Sequence, residues 1–476
     1  MSVATLREFL ETLENEGQLL RIHDEVRLEP DLGAAGRAIN NVGKDAAPAL
    51  LFDRLHGYRD AQVVMNVHGS WRNHALMLGM AKDTPLKEQF FEFVRRYQNY
   101  PGGVEYRDRP QWQQVVVEGA ENINLFNVLP LFRLNRNDGG FYIDKAVTIS
   151  RDPDDPENFG KQNVGMYRLQ VKGRNRIGIQ PVPAHDIAVH LRHAEERGED
   201  LPVAIALTND PIISTVGAMP ILYDQSEFEM AGAIQESPYP IVRSPYSGLD
   251  IPWSSEVVLE GVIKGRVREM EGPFGEFTGH YSGARLMPVV EITRMSYRQQ
   301  PLLEHLYLGM PWTEIDYFMG INTCAPLYVQ LKQSFPEIVA VNALYTHGLV
   351  VIISTKTRYG GFAKAVGMRT MTTPHGLGYA KVVIVVDETI DPFNLNQVMW
   401  AISTKMHPAH DLVAIPDLSV LPLDPGSDPA GITHKLIIDA TTPVGPETRG
   451  HYDQPLDTPM DTEKWEARFK EILYGN

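Results

Sequence analysis

Four short segments carry residue types that do chemistry. The run Glu271-Gly272-Pro273-Phe274-Gly275-Glu276 sets two carboxylates five residues apart. On a straight strand they would face opposite sides, but Gly272-Pro273 and Gly275 bend the chain and can aim both into one cavity. Carboxylates that share a site split their pKa values, so one keeps its proton near neutral pH and serves as an acid. A surface turn with two solvated acids fits the same spacing. Asn163-Val164-Gly165-Met166-Tyr167-Arg168 offers an amide oxygen and a fixed cation. They lie on opposite sides of a strand unless Gly165 hosts a bulge; a plain strand with a surface arginine is the alternative. In Pro181-Val182-Pro183-Ala184-His185-Asp186 a rigid stretch ends in a histidine at a helix start. Asp224-Gln225-Ser226-Glu227 sets acids at a helix-capping pattern.

Common motifs are missing. There is no G-x-G-x-x-G after a strand, no G-x-x-x-x-G-K-[ST], no H-E-x-x-H and no G-x-S-x-G. Gly360-Gly361 and Gly376-Leu377-Gly378 read as turns. His190 and His193 are one helical turn apart, but beside Arg192, Glu195 and Glu196 they read as a solvated face.

The elements that must position these residues change character along the chain. Thr5-Leu6-Arg7-Glu8 is a capping box, followed by Leu6, Phe9, Leu10 and Leu13 at helical spacing. Pro85 opens a second helix with Leu86, Phe90, Phe93 and Val94 on one side. From Val115 to about Tyr297 short strand-like runs dominate, which suggests a barrel-like β domain. Within it Val164–Val171 and Ile177–Val182 flank a hairpin turn at Lys172-Gly173-Arg174-Asn175. Helices are expected from Asp186 to about Arg197 and from Ser226, where Ser226-Glu227-Phe228-Glu229 is a capping box. After Pro301 helices alternate with strands at Ile338–Leu344, Leu349–Ser354 and Val382–Asp387, which suggests an α/β layer. Leu418–Gly431 reads as a loop, and a last amphipathic helix carries Trp465, Phe469 and Ile472.

Composition excludes several classes. With 476 residues, 43% hydrophobic and 22% charged, the chain has ample material for two or three packed domains. A net charge of −16 disfavours nucleic acid as a partner. The one cysteine, Cys324, rules out an intramolecular disulfide and a multi-cysteine metal site. Arg7, Glu8 and Glu11 interrupt the N-terminus, so it does not read as a signal peptide. Apolar runs such as Leu349–Ile353 fall far short of the ~20 residues of a membrane span. A cytoplasmic protein with no membrane partner is expected.

Taken in order, the four segments resemble the motif set of the UbiD family of prenylated-FMN-dependent decarboxylases, over essentially the whole chain. The Glu-Gly-Pro-Phe-Gly-Glu-Phe-Thr-Gly-His-Tyr run at 271–281, Phe335-Pro336-Glu337-Ile338-Val339 and Asp439-Ala440-Thr441 add to the likeness. Phe159-Gly160-Lys161-Gln162-Asn163 and Gly309-Met310-Pro311-Trp312-Thr313-Glu314 look like the branch acting on 4-hydroxybenzoate, vanillate, protocatechuate or gallate. The resemblance implies an α+β fold: an N-terminal α/β region at 1–115, a flavin-binding split β-barrel at 116–310, a C-terminal α/β dimerisation domain at 311–450 and a tail with a helix at 451–476. It implies Asn163, His185 and Glu227 as ligands of a divalent ion, usually Mn²⁺, that bridges to the flavin phosphate, with K⁺ often nearby. Flavin contacts would come from Asn163, Val164, Gly165, Met166, Tyr167, Arg168, Ala184, His185 and Glu227. Arg168, Glu271 and Glu276 match the family's catalytic triad, with Glu276 the expected proton donor after CO₂ leaves a covalent adduct with the modified flavin. His305, His347 and His434 could each recognise a ring hydroxyl, and each also suits an ordinary structural role. Implied partners are a small aromatic acid, a flavin prenyltransferase that supplies the cofactor, a small accessory subunit, and further copies of the chain as a dimer or trimer of dimers. A decarboxylase of a polyprenylated 4-hydroxybenzoate, a non-catalytic flavin-binding protein and a flavin reductase remain alternative readings.

Overall fold

The computed structural model describes residues 5–59, 61–183, 185–447, 456 and 458–474. Ala184, named above as a flavin contact, lies outside the described residues. The first helix, Leu6–Asn15, starts as its pattern predicts: the Thr5 side chain accepts from the Glu8 N–H, and Leu6, Phe9, Leu10 and Leu13 are buried. It packs near a four-stranded sheet ordered Leu19–Ile22, Ala49–Phe52, Gln62–Met65 and Leu302–His305. That fourth strand comes from far along the chain and runs parallel to Gln62–Met65.

The central unit is a nine-stranded antiparallel sheet that curls into a half-barrel. Its order is Phe141–Ile143, Leu169–Val171, Arg176–Ile179, Arg285–Tyr297, Val257–Glu271, Leu201–Leu207, Ala146–Arg151 and Gln162–Met166, with Val115–Glu118 also paired to Arg285–Tyr297. Alternation sorts its side chains: Val203, Ile205 and Leu207 join one core with Ile187, Leu191 and Ala194 of helix Asp186–Arg197, while Ala204 and Ala206 face another. A bulge at Gly261 sharpens the curl; a Cβ there would meet the Glu291 carbonyl oxygen at 1.9 Å. The expected hairpin is present, with Leu169–Val171 paired to Arg176–Ile179. The single strand expected over Val164–Val171 is instead two strands. Gln162–Met166 pairs with Ala146–Arg151, the chain leaves the ladder at Tyr167-Arg168, and Leu169–Val171 starts on the other limb of the sheet.

The C-terminal layer is a five-stranded mixed sheet ordered Ile338–Tyr345, Val350–Thr355, Val382–Asp387, Ile432–Ala440 and Leu412–Ser419. Val351, Ile353, Val383 and Val385 share one buried cluster with Phe362 and Val366, whereas Ile352, Ile384 and Val386 share another with Val398 and Ala401. The period of two thus serves helices Phe362–Met371 and Leu395–Lys405 on opposite faces. Residues 418–419, expected in a loop, finish the edge strand Leu412–Ser419. Gly376-Leu377-Gly378, expected as a turn, ends a short helix, Pro374–Gly378, capped by the Thr373 side chain. The last helix, Thr462–Tyr474, leaves Trp465, Phe469, Ile472 and Leu473 exposed. Among the described residues no helix is long and apolar enough to cross a membrane.

Candidate active site

The break after Met166 gives the site its charge. Freed from the ladder, Arg168 reaches the loop after strand Val257–Glu271 and grips both glutamates. Its Nε and Nη2 donate to Glu271 at 3.1 and 2.6 Å, and Nη1 donates to Glu276 and, at 2.9 Å, to Ser282 Oγ. Tyr142 O–H donates to Glu271 at 3.0 Å, and its ring lies 4.3 Å from that of Phe274, itself under the Arg168 guanidinium. The chain bends at its glycines, but it brings both carboxylates to Arg168 and only Glu276 to the cavity. Gly272 adopts φ +93°, and a Cβ on Gly275 would meet Asn135 Nδ2 at 2.4 Å. The Gly275 N–H donates to Asp138 at 2.8 Å, and the Gly139 N–H donates to the Pro273 carbonyl at 2.7 Å.

The two glutamates are not equivalent. Glu271 is fully buried behind Arg168 and off the cavity wall, whereas Glu276 lines a cavity of about 500 Å³. Burial pushes the Glu276 carboxyl up, against the pull of Arg168. Asn163, Gly165, Met166, Tyr167, Arg168, His185 and Glu227 line the same cavity. Val164 does not: its side chain belongs to the apolar core, and only its backbone serves the site, the N–H donating to Glu227 at 3.1 Å. A Cβ on Gly165 would meet the Tyr167 hydroxyl at 2.3 Å, so no side chain fits there.

Asn163, His185 and Glu227 all line the cavity and carry donor types that could hold a cation. Glu227 is buried and, among the described residues, no basic side chain pairs with it; burial, and then Asp186, push its carboxyl well above the usual range. Burial holds His185 at about 4, so its imidazole is neutral and free to ligate. An amide oxygen, a neutral imidazole and an uncompensated buried carboxylate suit Mn²⁺ or a similar ion. The capping box expected at Ser226 does not form. The Ser226 hydroxyl has no partner among the described residues, its N–H donates to the Tyr100 hydroxyl, and Glu229 accepts from that same hydroxyl. Glu227, at the first position of the helix, faces the cavity instead.

Histidines divide otherwise than expected. His190, read as solvent-facing, is buried against Ser150 at 2.9 Å, because its helix lies flat on the half-barrel. His193 is partly exposed and bonds Asp152 at 2.8 Å. His305 is bound to Asp144, and His434 is exposed away from the cavity, whereas His347 lines it. Leu377, read only as part of a turn, and His375 and Tyr379, unremarked in the sequence, complete that wall from the C-terminal layer. Also unforeseen is a buried network in which Lys145 Nζ donates to Glu304 at 2.5 Å, Glu314 at 3.0 Å and His68 Nδ1 at 2.9 Å. Of these residues only Glu314 lies in a run noted above, and the network joins segments near residues 68, 145 and 304–314. Although His68, Glu304 and Glu314 cluster like metal ligands, the ammonium already fills their centre.

The chain carrying this cavity is similar in sequence and fold to known proteins. The chain matches the N-terminal, Rift-related and C-terminal domains of 3-octaprenyl-4-hydroxybenzoate carboxy-lyase at residues 10–92, 104–311 and 316–440. It is 65% identical over 99% of its length to the whole of a phenolic acid decarboxylase of Bacillus subtilis. The closed form of the vanillic acid decarboxylase of Sedimentibacter hydroxybenzoicus superposes with a TM-score of 0.93 at 52% identity, covering 100% of both chains. The UbiD-class enzyme HmfF of Pelotomaculum thermopropionicum, in an evolved dimeric form in complex with prFMN, does so with a TM-score of 0.82 at 28% identity, covering 97% of this chain and 98% of that one. Because the three domain matches follow one another along almost the whole sequence, and the relatives align end to end, the chain belongs to the UbiD family of carboxy-lyases.

Proposed function

We propose that this carboxy-lyase catalyses the reversible, non-oxidative decarboxylation of a hydroxylated aromatic acid, of the 4-hydroxybenzoate, vanillate, protocatechuate or gallate type, to the phenol and CO₂. Its cofactor is prenylated FMN, with Mn²⁺ held at Asn163, His185 and Glu227. The observation that carries this reading is the buried Arg168, which holds two carboxylates of which only Glu276 faces the cavity. The phenolic acid and vanillic acid decarboxylases that the chain resembles support the substrate class, and the prFMN complex of HmfF supports the cofactor.

Loss of CO₂ leaves an electron pair on a ring carbon, and a free aryl anion is too basic to form. Prenylated FMN supplies, when bound, an electrophilic centre that takes up those electrons. The chain's own residues do the rest. Phe274, Phe277, Leu306 and Phe318 line the cavity with apolar surface, which favours the departure of neutral CO₂ over the charged carboxylate. Glu276 then delivers its proton to the vacated carbon. Glu271, Tyr142 and Ser282 fix the guanidinium that positions Glu276. The exposed apolar side chains of the last helix support assembly into a homo-oligomer.

The test is a panel of benzoic acids offered to protein made alongside a flavin prenyltransferase. CO₂ release from the 4-hydroxylated acids, without NADH oxidation, is expected. Full activity with unmodified FMN alone, or no release from any aromatic acid, would overturn the proposal.

A further inference from the structure

The cavity wall contributed by the C-terminal layer contains an unusual turn. Between strands Ile338–Tyr345 and Val350–Thr355, three consecutive residues are left-handed: Thr346 at φ 49°, His347 at 56° and Gly348 at 88°. Glycine adopts this freely, but a β-branched threonine and a histidine do so at a cost, and such residues persist only where the surroundings hold them. Two contacts hold His347. Its carbonyl accepts from His375 Nε2 at 3.2 Å, and its ring stacks on Phe277 with centroids 3.9 Å apart and planes 9° from parallel. Phe277 directly follows Glu276 in the chain, so the stack ties this turn to the acid loop.

The strained turn delivers an imidazole that is 5% exposed, lines the cavity and has a buried Nε2 without a hydrogen-bond partner among the described residues. A buried polar atom left unpaired costs stability and calls for an explanation, a ligand being one. Burial, and then His375, hold this histidine at about 3, so the ring is neutral. A neutral ring offers no charge to a carboxylate, and the cationic group on this cavity is Arg168 on the half-barrel side. What a neutral imidazole accepts is an O–H proton in a hydrogen bond. We propose that His347 is a specificity-determining residue that receives the ring hydroxyl of the substrate, the phenolic O–H donating to an imidazole nitrogen. This rests on the decarboxylase reading for the identity of the ligand. The Thr346–Gly348 turn serves to place that nitrogen, and the Phe277 stack sets the plane of the ring.

The test compares dissociation constants of phenol, the decarboxylation product, and of its methyl ether anisole, measured by calorimetry on the holoenzyme. No turnover is needed, so the result stands apart from whether CO₂ release is found. His347→Phe keeps an aromatic ring to stack on Phe277 and removes both nitrogens. His347→Asn keeps a polar group in a residue type that tolerates left-handed backbone. Wild type should prefer phenol roughly 10- to 100-fold, the Phe variant should lose that preference, and the Asn variant should fall between. A folded His347→Phe protein that keeps the wild-type preference would overturn the proposal, as would a wild type that shows none. Where His347→Phe fails to fold, an Asn variant with the full wild-type preference would do the same.

Discussion

Replacing Glu276 by glutamine isolates the proton from everything else the side chain does. The amide oxygen still accepts from Arg168, and the guanidinium keeps its two bonds to Glu271 and one to Ser282. One charge-assisted bond becomes a neutral one, which costs about 1 kcal/mol of stability, a small part of what a protein this size holds. The catalytic loss is larger. A positioned acid contributes ~10²–10⁴-fold, or about 3–5 kcal/mol of barrier. Multiple-turnover release of the phenol should therefore fall by at least two orders of magnitude (~10²) while the melting temperature and flavin content stay near wild type. CO₂ loss precedes protonation, so a first-turnover burst of CO₂ without free phenol is expected. In D₂O the wild type should place one deuterium on the carbon that carried the carboxylate. A Glu276→Gln enzyme that turns over at near the wild-type rate and still labels that carbon would refute the assignment. Glu271→Gln is the control: that carboxylate is enclosed, so its loss should lower stability as well as rate.

Three further outcomes follow from the geometry. Glu227→Ala should lose metal and flavin together in elemental analysis and absorption spectra, because the buried carboxylate lines the cavity and, apart from backbone N–H groups such as that of Val164, has no partner among the described residues to hold its charge. Lys145→Met should cost about 3–5 kcal/mol in denaturant unfolding, since Glu304, which burial already pushes to about 7, and Glu314 lose their shared cation; an unchanged midpoint would show that the network relaxes. The acid form of Glu276 is the active one and its carboxyl is pushed up, so kcat should be full at low pH and fall as pH rises through that raised value. That alkaline limb should be missing from the residual activity of Glu276→Gln.

What could be read from the sequence was what local rules decide. Helix Asp186–Arg197 and strand Val382–Asp387 appear at the expected bounds, since periodicity, a helix-stopping Gly198 and a short apolar run need no tertiary help. The Gly-Pro and Gly bends of the acid loop were equally local. The exit of Arg168 from the sheet was not, because an alternating run from Val164 to Val171 gives no sign that its halves join different limbs of a curled sheet. The Ser226 pattern misled for a related reason: the hydroxyl of Tyr100, 126 residues away, comes between the Ser226 N–H and the Glu229 carboxylate that the box would have joined. His347 could not be told from His305 and His434 in the sequence, because its distinction lies in a backbone angle and in an aromatic partner from another domain.

The strand Leu302–His305 has a consequence for biosynthesis. Until it arrives, Gln62–Met65 has a partner on one side only, and its other edge is an open, apolar β-edge. That edge waits for roughly 240 further residues, about 12–48 s of translation at ~5–20 residues per second. The Asn66 and His68 N–H groups wait longer still, for Glu314. The N-terminal unit is thus held incomplete on the ribosome while the half-barrel is made, and chaperone occupancy of the nascent chain should be highest in that interval.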